Sequence, residues 1–280
     1  MNSNTEFTAW TDVTVNNWDE LIQALHSQLL IPLKKEQGGH RRSSFVFRGM
    51  SCAAWPLMTS LERLGTAPEK VEQGSLRSFG KYAPVGTFSP HSEWERLAVA
   101  QHNGLPTRVL DWAVSPLVAA HFATSERKHR DDDGVIWCVN ADSVRDNLLP
   151  QEMRGHLFEA QAFVYNVPLL DKKFPELRTF DATEGEAGDL IIFLEPPSID
   201  ARIQNQFGIL SVMNGPAKSH DSFLRKCSQE YPGMVQRIVI KHEAKAEIRD
   251  MLDQNNITER MLFPGLPGLC DWLRRYYGPV

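Results

Sequence analysis

The feature that most constrains the fold is the segment from Gln101 to Ala123, which concentrates polar side chains where a strand meets a helix. The run Gly104-Leu105-Pro106 predicts a turn, because glycine frees the backbone and proline fixes φ. Residues 107–112 then predict a short strand with β-branched and aromatic content. Ser115 is a good N-cap and Pro116 suits the first helical position, so a helix is predicted to follow.

Three polar or aromatic residues fall at this junction, namely Asp111, Trp112 and Ser115. Free N–H groups and the helix dipole at a helix N-terminus favour a phosphate or another anion. Arg108 and Asp111 are three apart in a strand, so their side chains point to opposite faces. We therefore expect Asp111 to face a site and Arg108 to pair with Glu95 or another acid.

The rest of the chain interleaves strands and helices of uneven length. Strands are predicted near residues 43–49, 135–139, 190–194, 207–212 and 237–240, and helices near 17–29, 57–64, 69–82, 92–102, 245–252 and 269–276. Residues 142–180 are predicted to be mostly helical and irregular. This pattern favours an α+β (mixed α/β) fold with a central mixed or split β-sheet flanked by helices. Because no repeat or linker interrupts it, we expect one domain over residues 1–280, with residues 216–280 completing it.

Composition excludes several classes of protein. The net charge of −5 over 280 residues argues against a general binder of nucleic-acid backbones but leaves open a local basic groove. The four cysteines lie far apart without metal-like spacing, which is typical of free thiols in a reducing cytoplasm. Residues 1–6 show no secretory pattern, and no apolar run approaches the length of a membrane span.

Several motifs together resemble the FRG domain family, which takes its name from the tripeptide Phe-Arg-Gly. They are Phe47-Arg48-Gly49, Glu95, residues 101–112, Ser115-Pro116-Leu117, Phe122-Ala123 and residues 202–208. The resemblance extends over roughly residues 40–215 and is most specific in the central block. Asn103 and Val109 are mild variants of the family pattern, and Phe207 stands where a second glutamine is often seen.

FRG domains in turn resemble ADP-ribosyltransferases at the level of motifs, which implies an ADP-ribosyltransferase-like fold and NAD as the substrate. The resemblance assigns NAD binding to Arg48, Gly49, Asp111, Trp112 and Ser115. It assigns catalysis to Glu95, His102 and Gln206. The spacing of the histidines and cysteines predicts no metal site. The acceptor would be a macromolecule, protein or nucleic acid, and the biological setting a toxin or an anti-phage effector.

Each of these residues also has a simpler structural interpretation. Arg48 could form a structural ion pair, and Glu95 could complete a capping box with Ser92. His102 could end its helix, and Trp112 could belong to the core. Gln206 is uncharged, whereas a carboxylate best stabilises the oxocarbenium-like state of ADP-ribosyl transfer, so Gln206 could instead order a loop.

Three functional hypotheses follow from the sequence. The first is an enzyme that transfers ADP-ribose from NAD or hydrolyses NAD. The second is a module that binds NAD or ADP-ribose without catalysis, which the uncharged Gln206 favours. The third is a hydrolase or nuclease acting through His102, Glu95 and Asp111, and it ranks lowest because neither a nucleophile elbow nor a metal pattern is present.

Overall fold

The computed structural model describes residues 11–28, 43–65 and 67–278, and the strands of this part form one eight-stranded sheet. The strands are β1 (Thr11–Val15), β2 (Phe45–Met50), β3 (Val109–Ala113), β4 (Gly134–Asn140), β5 (Tyr165–Asn166), β6 (Ile191–Glu195), β7 (Gly208–Met213) and β8 (Val235–Ile240). Their order across the sheet is β1-β8-β4-β2-β3-β7-β6-β5. The two outer pairs are parallel and the inner ones antiparallel, which confirms a mixed sheet in an α+β fold.

The helices cover both faces of this sheet. They are α1 (Trp18–Gln28), α2 (Pro68–Tyr82), α3 (Glu93–His102), α4 (Pro116–Thr124), α5 (Ala141–Leu148), α6 (Gln151–Glu159), α7 (Val167–Lys173), α8 (Leu177–Asp181), α9 (Ala201–Gln206), α10 (His220–Glu230), α11 (Lys245–Gln254), α12 (Glu259–Leu262) and α13 (Leu266–Tyr276). Most of the strands and helices were predicted, whereas β1, β5, α9, α10 and α12 were not. None of the helices in the described ranges is long and apolar enough to cross a membrane.

The helix predicted over residues 57–64 is wrong in extent, because only Glu62–Leu64 form a single 3-10 turn. Thr59 and Glu62 exchange hydrogen bonds between backbone and side chain, which starts the turn at Thr59. Gly65 adopts a left-handed φ of 66° and ends it. The strand predicted over residues 107–112 likewise begins later, at Val109.

Alternation along the strands separates two apolar layers. On β2, Phe45 and Phe47 pack with α1, α4 and α11, whereas Val46 packs on the opposite face with α2, α3 and the helices after β4. Both layers contain fully buried side chains, such as Trp94 in one and Leu21 in the other. Burial on both faces makes the sheet a rigid support for the residues at its edges.

The sheet divides between its two central strands. β2 and β3 share one ladder pair, Phe47 with Ala113, although β2 continues to Met50 and β3 begins at Val109. In an antiparallel pair, the residues after Phe47 and those before Ala113 should continue the ladder. They diverge instead, and we call the opening between them the fork.

Residues 216–280 belong to the same sheet and core. β8 lies between β1 and β4, and the helices that follow it pack beside α4. A buried polar network ties them to α4: Arg249 Nη1 hydrogen-bonds His121 Nδ1 at 2.6 Å, and Arg249 Nη2 donates to Glu259 at 2.7 Å. Arg275 also donates to Glu259 at 2.8 Å, so one carboxylate joins two guanidinium groups.

Candidate functional site

A cleft with a volume of about 690 Å³ opens at the fork. Its floor is formed by residues 47–51 of β2 and the loop after it, residues 111–113 of β3 and residues 208–210 of β7. Side chains of α3, α4 and α9 complete its walls. Six of the eight sequence-predicted site residues line it, namely Arg48, Gly49, His102, Asp111, Trp112 and Gln206. Glu95 and Ser115 do not.

Arg48 bridges the fork. Its Nη1 donates a 2.6 Å hydrogen bond to the main-chain oxygen of Asp111, while its buried Nε has no hydrogen-bond partner. Burial lowers the pKa of Arg48, the Asp111 charge opposes this and the nearby Arg63 charge lowers the pKa further. Arg48 thus lies partly desolvated beside a second cation, an arrangement that a bound anion would relieve.

Asp111 is an exposed carboxylate in the middle of an otherwise buried strand. Gln101 Nε2 donates to its Oδ2 at 2.6 Å, and Gln101 Oε1 in turn accepts from Thr107 Oγ1 at 2.5 Å. These two bonds fix the Gln101 amide and, through it, the Asp111 carboxylate. Asp111 is therefore presented to the cleft in one defined orientation.

His102, the last residue of α3, is also held by a carboxylate. Its Nε2 lies 2.8 Å from Asp200 Oδ2, and only 12% of its side chain is exposed. Asp200 is the N-cap of α9, so the contact joins the ends of two helices. His102 therefore does more than end α3: its side chain is paired with Asp200 on the wall of the cleft.

Gln206 and its neighbour Asn205 bind the C-terminal part of the chain. Gln206 Nε2 donates to the main-chain oxygen of Leu262 at 3.0 Å, and Asn205 Nδ2 donates to that of Met261 at 2.6 Å. These bonds attach α9 to α12, which matches the structural interpretation of Gln206. The same helix carries Arg202 into the cleft.

Trp112 lines the cleft but belongs mainly to the core. It is 3% exposed, its Nε1 donates to Ser211 Oγ at 2.8 Å, and its ring packs edge-on against Phe193. A buried indole whose N–H is already bonded offers little surface for stacking on a ligand. The structural interpretation of Trp112 therefore fits its surroundings better.

Ser115 and Glu95 have local roles. Ser115 Oγ accepts from Val118 N at the start of α4, and the cleft meets α4 further along, at Ala119 and Phe122. The anion site predicted at this helix N-terminus therefore lies outside the cleft. The backbone N–H of Glu95 donates to the N-cap Ser92, and the Glu95 carboxylate accepts from the backbone of Ser89, away from the cleft.

Gly49 is required by packing. A Cβ built on it would lie 1.8 Å from the main-chain oxygen of Ala119 and 2.7 Å from the nitrogen of Ala123. Only glycine lets β2 lie this close to α4. The glycine of the tripeptide therefore places the adjacent Arg48 at the fork by bringing strand and helix into contact.

Three arginines of the cleft lack a carboxylate partner in the part of the chain that the structure describes. Among the described residues, no Asp or Glu oxygen lies within salt-bridge distance of Arg48, Arg63 or Arg202. The Nε of Arg202 is buried without a hydrogen-bond partner, and its guanidinium lies over the Phe263 ring at 5.1 Å. The acids of the lining are Asp111 and Glu126, of which Glu126 pairs with Lys128 at 3.2 Å.

Four site residues escaped the sequence analysis. Gln101 and Arg202 both fall inside motifs of the family resemblance, so those motifs carried a signal for them. Arg63 and Asp200 had none, because only the folded chain brings them to the cleft wall and to His102.

Arg108 has a structural role, as the alternation indicated. Its guanidinium is buried between the carboxylates of Glu72 and Asp181, with Nε 2.8 Å from Glu72 Oε2 and Nη2 3.1 Å from Asp181 Oδ2. The expected acidic partner is therefore present, but it is not Glu95. The charges of this triad leave Arg108 unavailable to the cleft.

Among the described residues, a group of potential metal ligands lies outside the cleft. Ligand atoms of Asp133, His242 and Glu243 all lie within 4.8 Å of one another. The Asp133 carboxylate already accepts from Lys241 Nζ at 2.7 Å and from the backbone of His242 at 2.9 Å. These bonds show that Asp133 and its neighbours form an ion-pair network on the surface.

Comparison with known proteins agrees with the sequence motifs. The model of the FRG domain family matches residues 43–132, which include the tripeptide, α3, β3 and α4. Neither the curated proteins nor the solved structures contain a match. The matched segment supplies both strands of the fork together with His102 and Asp111. We conclude that the chain carries an FRG domain and that the candidate site is built largely from it.

Proposed function

We propose that the cleft binds NAD and that the protein transfers ADP-ribose from it or hydrolyses it. The observation that carries the proposal is the meeting of Arg48 and Asp111 at the fork. A guanidinium suits a diphosphate, and a carboxylate stabilises the positive charge that develops on the ribose as nicotinamide leaves. NAD contains both groups in one molecule.

The charge distribution supports a diphosphate. Three arginines that have no carboxylate partner among the described residues line a single cleft of a protein whose net charge is −5. Guanidinium groups that share a partly desolvated cleft without carboxylate partners repel one another, and a bound anion relieves that cost. A diphosphate carries the matching charge and accepts bidentate hydrogen bonds.

Asp111 takes the place that the sequence analysis gave to Glu95 or Gln206. Glu95 lies outside the cleft, and Gln206 donates to the backbone of α12. Asp111 is exposed within the cleft and oriented by Gln101. It is the carboxylate that can face the reacting ribose carbon.

The apolar part of the lining suits planar rings. Trp55, Met58 and Phe122 border the cleft together with the polar residues. Aromatic and thioether side chains stack favourably on nicotinamide or adenine. The proposal therefore gives both chemical parts of NAD, rings and diphosphate, a matching surface.

The setting of such an activity is the cytoplasm, where NAD is present and where the four free cysteines stay reduced. A macromolecule, protein or nucleic acid, would be the acceptor of ADP-ribose. Consumption of NAD or modification of an essential molecule is the activity of a toxin or an anti-phage effector, and we include that role in the proposal.

The test uses the full chain and NAD labelled in the nicotinamide ring. Asp111→Asn should lower nicotinamide release about 100-fold, the loss expected when one electrostatic partner of the transition state is removed. It should leave binding of ADP-ribose, measured by calorimetry, within about twofold. Asp131→Asn is the matched control, because Asp131 is exposed on a surface turn.

The same experiment distinguishes catalysis from a second candidate function, which is binding without catalysis. A module that binds without catalysis would bind ADP-ribose but release no nicotinamide, and the engagement of the uncharged Gln206 with α12 favours it. If the wild-type chain neither binds ADP-ribose nor consumes NAD, with or without cell lysate, both proposals fail.

A further inference from the structure

Binding of NAD in the cleft does not by itself explain why His102 is paired with Asp200. The ring of His102 lines the cleft, and its Nε2 lies 2.8 Å from Asp200 Oδ2. Asp200 lies beyond the family match and reaches His102 from the start of α9. A histidine held by a carboxylate at a cleft wall is the usual arrangement of a general base.

Asp200 is itself fixed in place. Its Oδ1 accepts from the backbone N–H groups of Arg202 at 2.9 Å and Ile203 at 3.2 Å, and its Oδ2 is left for His102. Burial raises the pKa of Asp200, but the hydrogen bonds from His102 and these two N–H groups outweigh it and lower the pKa overall. The carboxylate is therefore ionised and cannot rotate freely.

An ionised carboxylate only accepts hydrogen bonds, so the proton of the neutral imidazole lies on Nε2. The other nitrogen, Nδ1, is then the basic one. Of the other proton acceptors on the lining, Asp111 is bonded to Gln101 and Glu126 is paired with Lys128. His102 is thus the group best prepared to accept a proton in the cleft.

We propose that His102, oriented by Asp200, removes the proton of the acceptor, which is accordingly a hydroxyl, a thiol or water and not a carboxylate. This inference rests on the proposed function and names the acceptor class of the same site. Carboxylates are already deprotonated at neutral pH and need no base. His102 is then a catalytic residue and Asp200 a positioning residue.

The step balances in atoms and charge. The acceptor oxygen or sulfur forms a bond to C1′ of the nicotinamide ribose, and the bond from C1′ to the ring nitrogen breaks. Its electron pair neutralises the positively charged ring, so nicotinamide leaves as a neutral molecule. The acceptor proton passes to Nδ1 of His102, which becomes an imidazolium ion paired with Asp200.

The test compares two nucleophiles in nicotinamide-release assays of the full chain. Water must lose a proton, whereas azide is an anion with none to lose. His102→Gln should lower hydrolysis about 100-fold and Asp200→Asn about 10-fold, within the range of general-base catalysis. The rate with saturating azide and the KM for NAD should stay within about twofold of wild type.

The variants keep the fold comparable. Asparagine and serine are as good N-caps as aspartate, so Asp200→Asn and Asp200→Ser retain the start of α9 while removing the charge beside His102. His91→Gln is the control for the histidine, because His91 is exposed at the opposite end of α3. It should hydrolyse NAD at the wild-type rate.

Each outcome decides between the two proposals. If the wild-type chain releases nicotinamide and the variants lose the water and azide rates equally, His102 binds NAD and the acceptor inference is overturned. The inference is also overturned if both variants hydrolyse NAD as fast as wild type. If the wild-type chain releases no nicotinamide with water, with azide or with cell lysate, the proposed function fails and the inference falls with it.

Discussion

Arg48 donates a 2.6 Å hydrogen bond from Nη1 to the main-chain oxygen of Asp111, across the fork where β2 and β3 separate. The bond takes the place of ladder hydrogen bonds that the two diverging strands no longer make. It leaves the rest of the guanidinium and the Asp111 carboxylate beside the same cleft. Arg48 and Asp111, which are hydrogen-bonded across the fork, are thus also the residues assigned to diphosphate binding and to catalysis in the proposed function.

Substitution of Arg48 should weaken the binding of ADP-ribose, and it should do so less when the new side chain keeps the positive charge. Arg48→Lys keeps the charge but loses bidentate bonding, so the Kd for ADP-ribose should rise about 10-fold, and Arg48→Met about 100-fold. Calorimetry measures both, with Arg77→Met on the exposed side of α2 as the control. If Arg48→Met bound ADP-ribose as tightly as wild type, Arg48 would have no role in binding the ligand.

Gln101 should act on turnover through Asp111. Gln101→Leu removes the donor to Asp111 Oδ2 and the acceptor for Thr107, so the carboxylate loses its fixed orientation. A misplaced catalytic group costs up to about 100-fold in rate, and we expect kcat for nicotinamide release to fall about 10- to 100-fold. The Kd for ADP-ribose should change little, and a variant with unchanged kcat would contradict this role.

Gly49→Ala tests whether packing on α4 places Arg48. The added Cβ would lie 1.8 Å from Ala119 O, so the strand must move away from the helix. Overpacking of this kind costs about 1–3 kcal/mol, and binding of ADP-ribose should weaken as well. Gly74→Ala on α2 is the control, since its Cβ meets no atom within 4 Å and alanine favours a helix. Urea unfolding measures the free energy of both variants.

The buried triad around Arg108 should contribute to stability and not to ligand binding. Glu72 and Arg108 are 3% and 4% exposed, and Glu72→Gln leaves the guanidinium with Asp181 alone. Loss of one partner in a buried ion pair costs about 3–5 kcal/mol. Glu69→Gln, an exposed change on the same helix, should cost less than about 0.5 kcal/mol in urea unfolding. Similar losses in the two variants would show that the triad contributes nothing.

His121 should make stability depend on pH. Burial and the Arg249 charge lower the pKa of His121 from 6.5 to about 3, and Arg249 donates to its Nδ1, which fits the neutral ring. Since the unfolded chain binds a proton that the folded chain rejects, this stability is complete above pH 6.5 and is lost as the pH falls toward 3. The slope approaches about 1.4 kcal/mol per pH unit.

The measurement is urea unfolding of wild type and His121→Asn at pH 7.5, 6.5 and 5.5. Asparagine can accept the same hydrogen bond from Arg249 but does not titrate, so the stability difference between the two chains should shrink as the pH falls. His91→Gln, outside this network, controls for the loss of a histidine. Parallel pH profiles of wild type and His121→Asn would contradict a neutral His121 in the folded chain.

The elements that the sequence predicts well are those fixed by neighbours in the chain. Ser92 and Ser115 start helices because a side-chain oxygen meets an N–H three residues later, a contact that tertiary structure need not supply. Alternation placed Arg108 and Asp111 on different sides of the strand, and the structure has one in a buried triad and the other in the cleft. Six of the eight site residues that the FRG resemblance assigned likewise line the cleft.

The sequence alone did not place the cleft. The local pattern predicted an anion site at the N-terminus of α4, and the family resemblance grouped Glu95 with His102 and Gln206 as catalytic residues. In the fold, the cleft opens where the pairing of β2 with β3 stops, and α4 meets it further along, at Ala119. Glu95 faces the backbone of Ser89 at the other end of α3.

Local sequence patterns predicted most of the strands and helices, the caps of α3 and α4, and the set of polar residues near β3, because these depend on contacts within a few residues. Only the tertiary structure decided which of them act together. Arg48 meets Asp111 because Gly49 lies against α4 and the strands diverge, and His102 meets Asp200 because α9 begins beside the end of α3. Both contacts join residues more than 60 positions apart, a separation that no local pattern encodes.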